Sequence, residues 1–201
     1  MKSIFSLLGA ALALSMSAPS QAKEPFSAMD VFKIAYAANS VVSPNGKFVA
    51  FDRFYMDVMS DTRRSDVWVI GADGNNLQQI SDGFDAAGPA TFTASGQAIA
   101  FAAIQSEASH IYLQNLDTGE RSELGQGLSE PANLSFSPDG QWLAFTMPVT
   151  YQPETMGEMP PPPEGAQWAE PIVVETRGQF RGDGFGYLPF SRHQVFLMPA
   201  A

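Results

Sequence analysis

The chain has 201 residues, 45% hydrophobic and 16% charged, which is enough apolar material for a packed domain and too much for a disordered one. With 21 acidic against 11 basic side chains its formal charge is −10, so sequence-independent binding to nucleic acid or anionic lipid is excluded, because both require positive charge against phosphate. It holds no cysteine, which removes disulfides, thiol catalysis and cysteine-based zinc sites together.

Residues 1–22 read as a secretory signal peptide. Lys2 precedes a short apolar run from Ile4 to Leu14, and Ser20-Gln21-Ala22 is a small-x-small cleavage pattern. The run is too short to span a bilayer. The spacing predicts cleavage after Ala22, export to the periplasm, and no membrane anchor thereafter. Residues 23–40 are expected to form a helical segment: Ser27 caps it, Asp30 favours its first turn, and Met29, Phe32, Lys33 and Tyr36 follow at three- and four-residue steps. A helix of about ten residues needs a partner surface to be stable.

A repeat organises the rest. Ser43-Pro44-Asn45-Gly46-Lys47-Phe48-Val49-Ala50-Phe51 returns as Thr93 to Phe101 and again as Ser137 to Phe145. A second element keeps step with it: Asp66 to Ile70, His110 to Gln114 and His193 to Leu197. In the first, Pro and Asn or Asp set a turn, Gly takes its positive-φ position, and an apolar strand follows. The second has the β-branched and aromatic content of a strand. Ala72-Asp73-Gly74 and Leu116-Asp117-Thr118-Gly119 then read as hairpin turns into a fourth strand. Four short antiparallel strands every 45 or so residues describe a β-propeller blade. The fold class predicted is all-β: an incomplete β-propeller of about two and a half four-stranded blades with a short N-terminal helix. Blade one is expected over 41–82, blade two over 88–128, and blade three over 132–201 with an insertion at 148–190. That insertion carries Pro160-Pro161-Pro162-Pro163, which cannot enter a ladder, a strand predicted at Pro171–Arg177, and a Gly-rich turn at Gly182–Gly186.

Phe26 to Phe32, the blade starts, and above all Phe180-Arg181-Gly182-Asp183-Gly184-Phe185-Gly186-Tyr187 followed by Arg192 to Phe196 resemble the opening of secreted prolyl-oligopeptidase-family serine peptidases, of the acylaminoacyl-peptidase and dipeptidyl-peptidase-five type. The resemblance runs over residues 26–201. It implies a propeller that gates or binds peptide substrates for an α/β-hydrolase domain. The 201 residues contain no Gly-x-Ser-x-Gly elbow, so no catalytic residue is assigned and the chain alone is expected to be inactive. The same Ser-Pro-Asp-Gly blades are similar to the periplasmic propellers of the Tol translocation system, which leaves a binding role without catalysis open.

Among chemistry-bearing side chains, Arg181, Asp183 and Tyr187 are the candidate substrate-binding residues implied by the resemblance. From the residues themselves, Arg177, Arg181 and Asp183 read first as an ion pair steadying the inserted hairpin. His110 and His193 share one repeat position, where blade one has Asp66, and read either as polar residues bonding their own blade's turn or as metal-binding or catalytic groups. Glu154, Glu158 and Glu164 are either solvated loop residues or acids for a peptide ammonium. Asp73 and Asp139 are turn residues, and Met156 and Met159 loop residues. No metal site or cofactor is expected; the expected partner is a peptide, with no nucleic acid.

Overall fold

The computed structural model describes residues 25–153, 160–168, 175–184 and 186–200. The predicted signal peptide with its Ala22 site, Glu154, Met156, Glu158, Met159, most of the strand predicted at Pro171–Arg177, and Phe185 lie outside the described residues.

The first blade contains β1 (Ala35–Val42), β2 (Phe48–Asp57), β3 (Thr62–Gly71) and β4 (Gln78–Gln79), hydrogen-bonded in that order and antiparallel throughout. The second repeats the arrangement with β5 (Ala86–Phe92), β6 (Ala98–Gln105), β7 (Ala108–Asn115) and β8 (Arg121–Leu128). The third places β9 (Ala132–Phe136) beside β10 (Trp142–Thr150). A short hairpin of β11 (Arg181–Gly182) and β12 (Gly186–Tyr187) intervenes before β13 (Ser191–Pro199) completes that sheet in the order β13-β10-β9. This is an incomplete all-β propeller.

The helix is shorter than its pattern predicts. A 3-10 turn covers Ala28–Lys33, and β1 begins at Ala35, so Tyr36 is strand and stacks on Phe54 of β2 at 5.3 Å. The local signals at its start work as expected: the Ser27 N–H and hydroxyl both donate to the Asp30 carboxylate, at 2.7 and 2.9 Å. Pairing with β2 through Ala35↔Tyr55 satisfies more backbone than another helical turn, and that pairing decides the boundary. Blade two likewise starts earlier than expected, at Ala86. The strands flanking the insertion are longer, since β10 and β13 pair from Trp142↔Pro199 to Thr150↔Ser191, and the insertion spans 151–190. Pro148 lies within that ladder, beyond Thr146 where β9 stops pairing, on a stretch of β10 with one open edge.

The turn between first and second strands is built alike in each blade. In blade one the Asn45 side chain accepts from the Ser43 hydroxyl and the Lys47 N–H. In blade three Asp139 does the same with Ser137 and Gln141, contacts that hold its carboxyl below the usual range. Gly46, Gly96 and Gly140 follow at φ of 71°, 69° and 72°, a backbone that L side chains adopt only with strain.

Packing occurs at two seams. Between blades one and two, Ala50, Val67, Val69 and Ile80 meet Phe92, Ile99, Phe101 and Tyr112. Between blades two and three, Ala100 and Ile111 meet Leu134, Leu143 and Phe145, with Phe196 and Met198 at the margin. β6 is covered on both faces, which is why Ala98-Ile99-Ala100-Phe101-Ala102-Ala103 is continuously apolar rather than alternating. Its alanines let the flanking sheets come close while Ile99 and Phe101 fill the first seam.

Candidate functional site

Antiparallel four-strand order puts the Ser-Pro-Asn-Gly turns and the turns before the fourth strands at one end. The opposite, upper end collects the N-terminal 3-10 turn, the linkers between blades and the described parts of the insertion. The insertion is closed onto β10 and β13 by a Tyr151 N–H to Phe190 carbonyl bond of 2.8 Å.

Arg177 anchors its return. The guanidinium pairs with Glu175 at 2.6 Å, donates to the carbonyls of Leu188 and Pro189 at 2.9 Å each, and lies 3.9 Å above the Phe190 ring. Glu175 pushes the Arg177 pKa up, so the charge is permanent. The ion pair expected among Arg177, Arg181 and Asp183 is thus made with Glu175, which lies on the same short stretch of chain. Arg181 and Tyr187 are cross-strand partners in the hairpin, with the Arg181 guanidinium 5.8 Å from the Tyr187 ring and Phe180 stacked on the same ring at 6.2 Å. Tyr187 is 72% exposed, and Asp183 occupies the exposed hairpin turn. Glu164 also lies in an exposed turn.

The two histidines share a repeat position and differ in surroundings. His110 Nδ1 bonds Glu123 Oε1 at 3.0 Å across β7 and β8, and its ring stacks on Tyr112. It therefore bonds the neighbouring outer strand, not the turn of its blade. His193 is exposed and lines two adjoining cavities.

Those cavities form a cleft at the upper end. The first, of about 350 Å³, is lined by Ala87, Ala102, Ala103 and Ala132 together with Ser65, Ser109, Glu130 and His193. The second, of about 460 Å³, runs on from Glu130 and His193 to Thr150, Arg177, Leu188 and Ser191 at the base of the insertion. Glu130 belongs to the linker Ser129–Pro131 and holds φ at +47°, an uncommon conformation for a non-glycine residue. No motif marks Glu130. The sequence signal available was its place between the fourth strand of blade two and the first of blade three, which puts it at the upper end by repeat counting.

The first cavity has a counterpart in blade one that is filled. Counting four residues back from each turn motif gives Asn39, Pro89 and Asn133; the residues after Phe51, Phe101 and Phe145 are Asp52, Ala102 and Thr146. In blade one Asn39 Nδ2 donates to Asp52 Oδ2 at 2.7 Å, and in blade three Asn133 Nδ2 donates to Thr146 Oγ1 at 2.9 Å. Blade two has neither partner. Asp52 is 2% exposed, its Oδ1 makes no hydrogen bond among the described residues, and its carboxyl group packs against Gly88 of the next blade. Burial pushes its pKa up, partly opposed by Asn39. The equivalent position in blade two is Ala102, which together with Ala132 lines the first cavity.

Among the described residues no three His, Asp or Glu side chains converge on a metal position. No described helix is long and apolar enough to cross a membrane.

Strand order and seams define a partial β-propeller. No family model matches the chain, and no curated protein does. Among solved structures, an acylaminoacyl peptidase in complex with Z-Gly-Gly-Phe-chloromethyl ketone superposes with a TM-score of 0.61 at 13% identity, over 84% of this chain. Pyrococcus horikoshii acylaminoacyl peptidase in its orthorhombic form gives 0.61 at 13% over 85%, and uncomplexed 0.60 at 14% over 85%. The chain has the fold of the propeller part of these proteins and spans 24% of the length of each.

Proposed function

We propose that this chain is the propeller portion of an exported serine peptidase, and that its upper end borders the path by which peptides reach a hydrolase domain. The observation that carries the reading is the convergence at one end of the insertion, the exposed Arg181 and Tyr187, and the cleft edged by Glu130 and His193. Arg177 makes the return of the insertion a fixed wall, because five contacts, to Glu175, Leu188, Pro189 and Phe190, would have to break together for the wall to leave. The wall presents aromatic and guanidinium surface, which suits a peptide backbone and side chains better than it suits a phosphate ester in so acidic a protein. The likeness to acylaminoacyl peptidases supports the fold half of this reading, and residues 1–22 support export.

The test extends the reading frame beyond codon 201 and exposes both products to a fluorophosphonate probe. The longer product is expected to label at a Gly-x-Ser-x-Gly serine while the 201-residue chain stays unlabelled. Arg181→Ala and Tyr187→Ala in the longer product should raise KM for long peptides and leave short chromogenic esters unchanged. A downstream frame without a labelled serine, or equal effects on long and short substrates, overturns the proposal.

A further inference from the structure

We propose that copies of this chain associate head to tail, the outward face of blade three on one copy packing against the outward face of blade one on the next. Each seam joins two kinds of sheet face, and the repeat specifies both. On the face that a blade turns toward its successor, Ala50 pairs with Val69 and Asp52 with Val67 in blade one. In blade two Ala100 pairs with Leu113 and Ala102 with Ile111. Val67, Val69, Ala100 and Ile111 are fully buried there. Blade three keeps the pattern, since Ala144 pairs with Leu197 and Thr146 with Val195, on the side opposite Leu143 and Phe145 of the second seam. Yet Leu197 is 66% and Val195 72% exposed, because no described blade lies beyond them.

The other kind of face is the one a blade turns toward its predecessor. It centres on a cross-strand aromatic pair, Phe101 and Tyr112 in blade two, Phe145 and Phe196 in blade three, each packed in a seam. In blade one that pair is Phe51 and Trp68, which stay half-buried on the side opposite Ala50, Val67 and Val69. Val42, on the same side through its pairing with Val49, is 66% exposed. The chain therefore carries one uncovered face of each kind, and they match as the halves of its own seams match. The repeat also gives the register of the contact. The counterparts of Leu197 and Val42 are Val69 and Phe92, which share the core of the first seam, and Leu113 and Phe136, which share the second. Apolar surface left open in this amount marks an interaction site, and release of water from both faces drives their contact. A contact between two different faces is heterologous, so each copy has one of each to offer. It needs only the repeat and is independent of a hydrolase domain.

The experiment combines sedimentation velocity with cross-linking, and the chain's lack of cysteine leaves no background for the second. Reversible association is expected as the concentration rises from low to high micromolar. Leu197→Cys and Val42→Cys chains, mixed and treated with a short bis-maleimide, should cross-link to each other, whereas neither variant alone should cross-link. Leu197→Lys and Val42→Lys place a charge on one face or the other at exposed positions, so each should weaken association about tenfold and leave the urea midpoint unchanged. Should one of them fail to fold, the other decides. A monomer throughout that range overturns the contact and leaves both faces to further sheets of a longer product. Cross-linking within either cysteine variant alone, or undiminished association of the folded lysine variants, overturns it as well. None of these readouts involves a hydrolase, so the contact and the peptidase reading fail separately.

Discussion

The two seams of the propeller are made from the same repeat and are held together differently. Across the first, side chains of one blade reach backbone carbonyls of the next. Ser65 Oγ donates to Ala87 at 2.7 Å, Arg64 to Asp85 at 2.6 Å, and Asn45 to Ser95 and Gly96. From the other side Arg121 donates to Ile80 and Asp82 while covering the Phe84 and Phe101 rings. Across the second, the described residues show apolar packing alone, centred on Leu134, Leu143 and Phe145. The cleft opens at the top of the second seam. Directional hydrogen bonds leave a seam little freedom to part, whereas apolar contact is indifferent to small displacements. A repeat protein can therefore build its framework at one interface and its binding space at the next by changing a few residues.

The largest effect that separates the seams is expected from Phe101→Ala. Phe101 is fully buried and contacts Phe84 and Tyr112, so its loss should destabilise the chain by about 3–5 kcal/mol in urea unfolding, through transfer and cavity terms together. Hydrogen exchange should then rise in blade one as well as blade two. Confinement of the change to blade two would show that the first seam is not the framework.

Arg121→Ala is expected to cost about 1–3 kcal/mol, the price of leaving carbonyl acceptors at Ile80 and Asp82 without their donor. Amides of Ile80 and Ser81 should exchange faster, and those of Leu134 and Leu143 should not change. Equal acceleration at both seams would erase the distinction drawn between them.

The smallest effect concerns Asp52. Its folded pKa is raised by burial, so the neutral form is the one the fold prefers. The stability it permits is fully present below the unfolded carboxyl pKa of about 3.9 and is lost as pH rises through the elevated folded value. Asp52→Thr copies the Asn133–Thr146 pair of blade three. It should remove that part of the pH dependence and raise stability at neutral pH by about 1 kcal/mol, measured by urea unfolding from pH 4 to 8. An unchanged pH profile would mean that the buried oxygen carries no penalty.

Much of this architecture could be read from residues near one another in the chain. Turn chemistry at Ser43–Gly46 and its two repeats, and the apolar strands after them, depend on local backbone preference and were legible as blades. The start of β1 was not, because the pattern Met29-Phe32-Lys33-Tyr36 suits a helix and only pairing with β2 makes Ala35–Val42 a strand. Arg177 was recognisable as a steadying charge, yet its partners Glu175, Leu188 and Pro189 depend on how the insertion folds back.

The candidate site divides in the same way. Arg181 and Tyr187 stood out because they lie in one short segment with a distinctive Gly-rich turn. Glu130 and His193 are 63 positions apart in the numbering and meet only because the linker after β8 and the start of β13 reach the same end of adjoining sheets. The repeat pattern of the chain decided that blades form, since turn dihedrals and strand periodicity are properties of a few consecutive residues. Which seam closes and which stays open was decided by side chains from different blades meeting across space. Ala102 and Ala132 line a cavity, whereas Asp52 closes against Gly88, and that difference exists only once the sheets are packed.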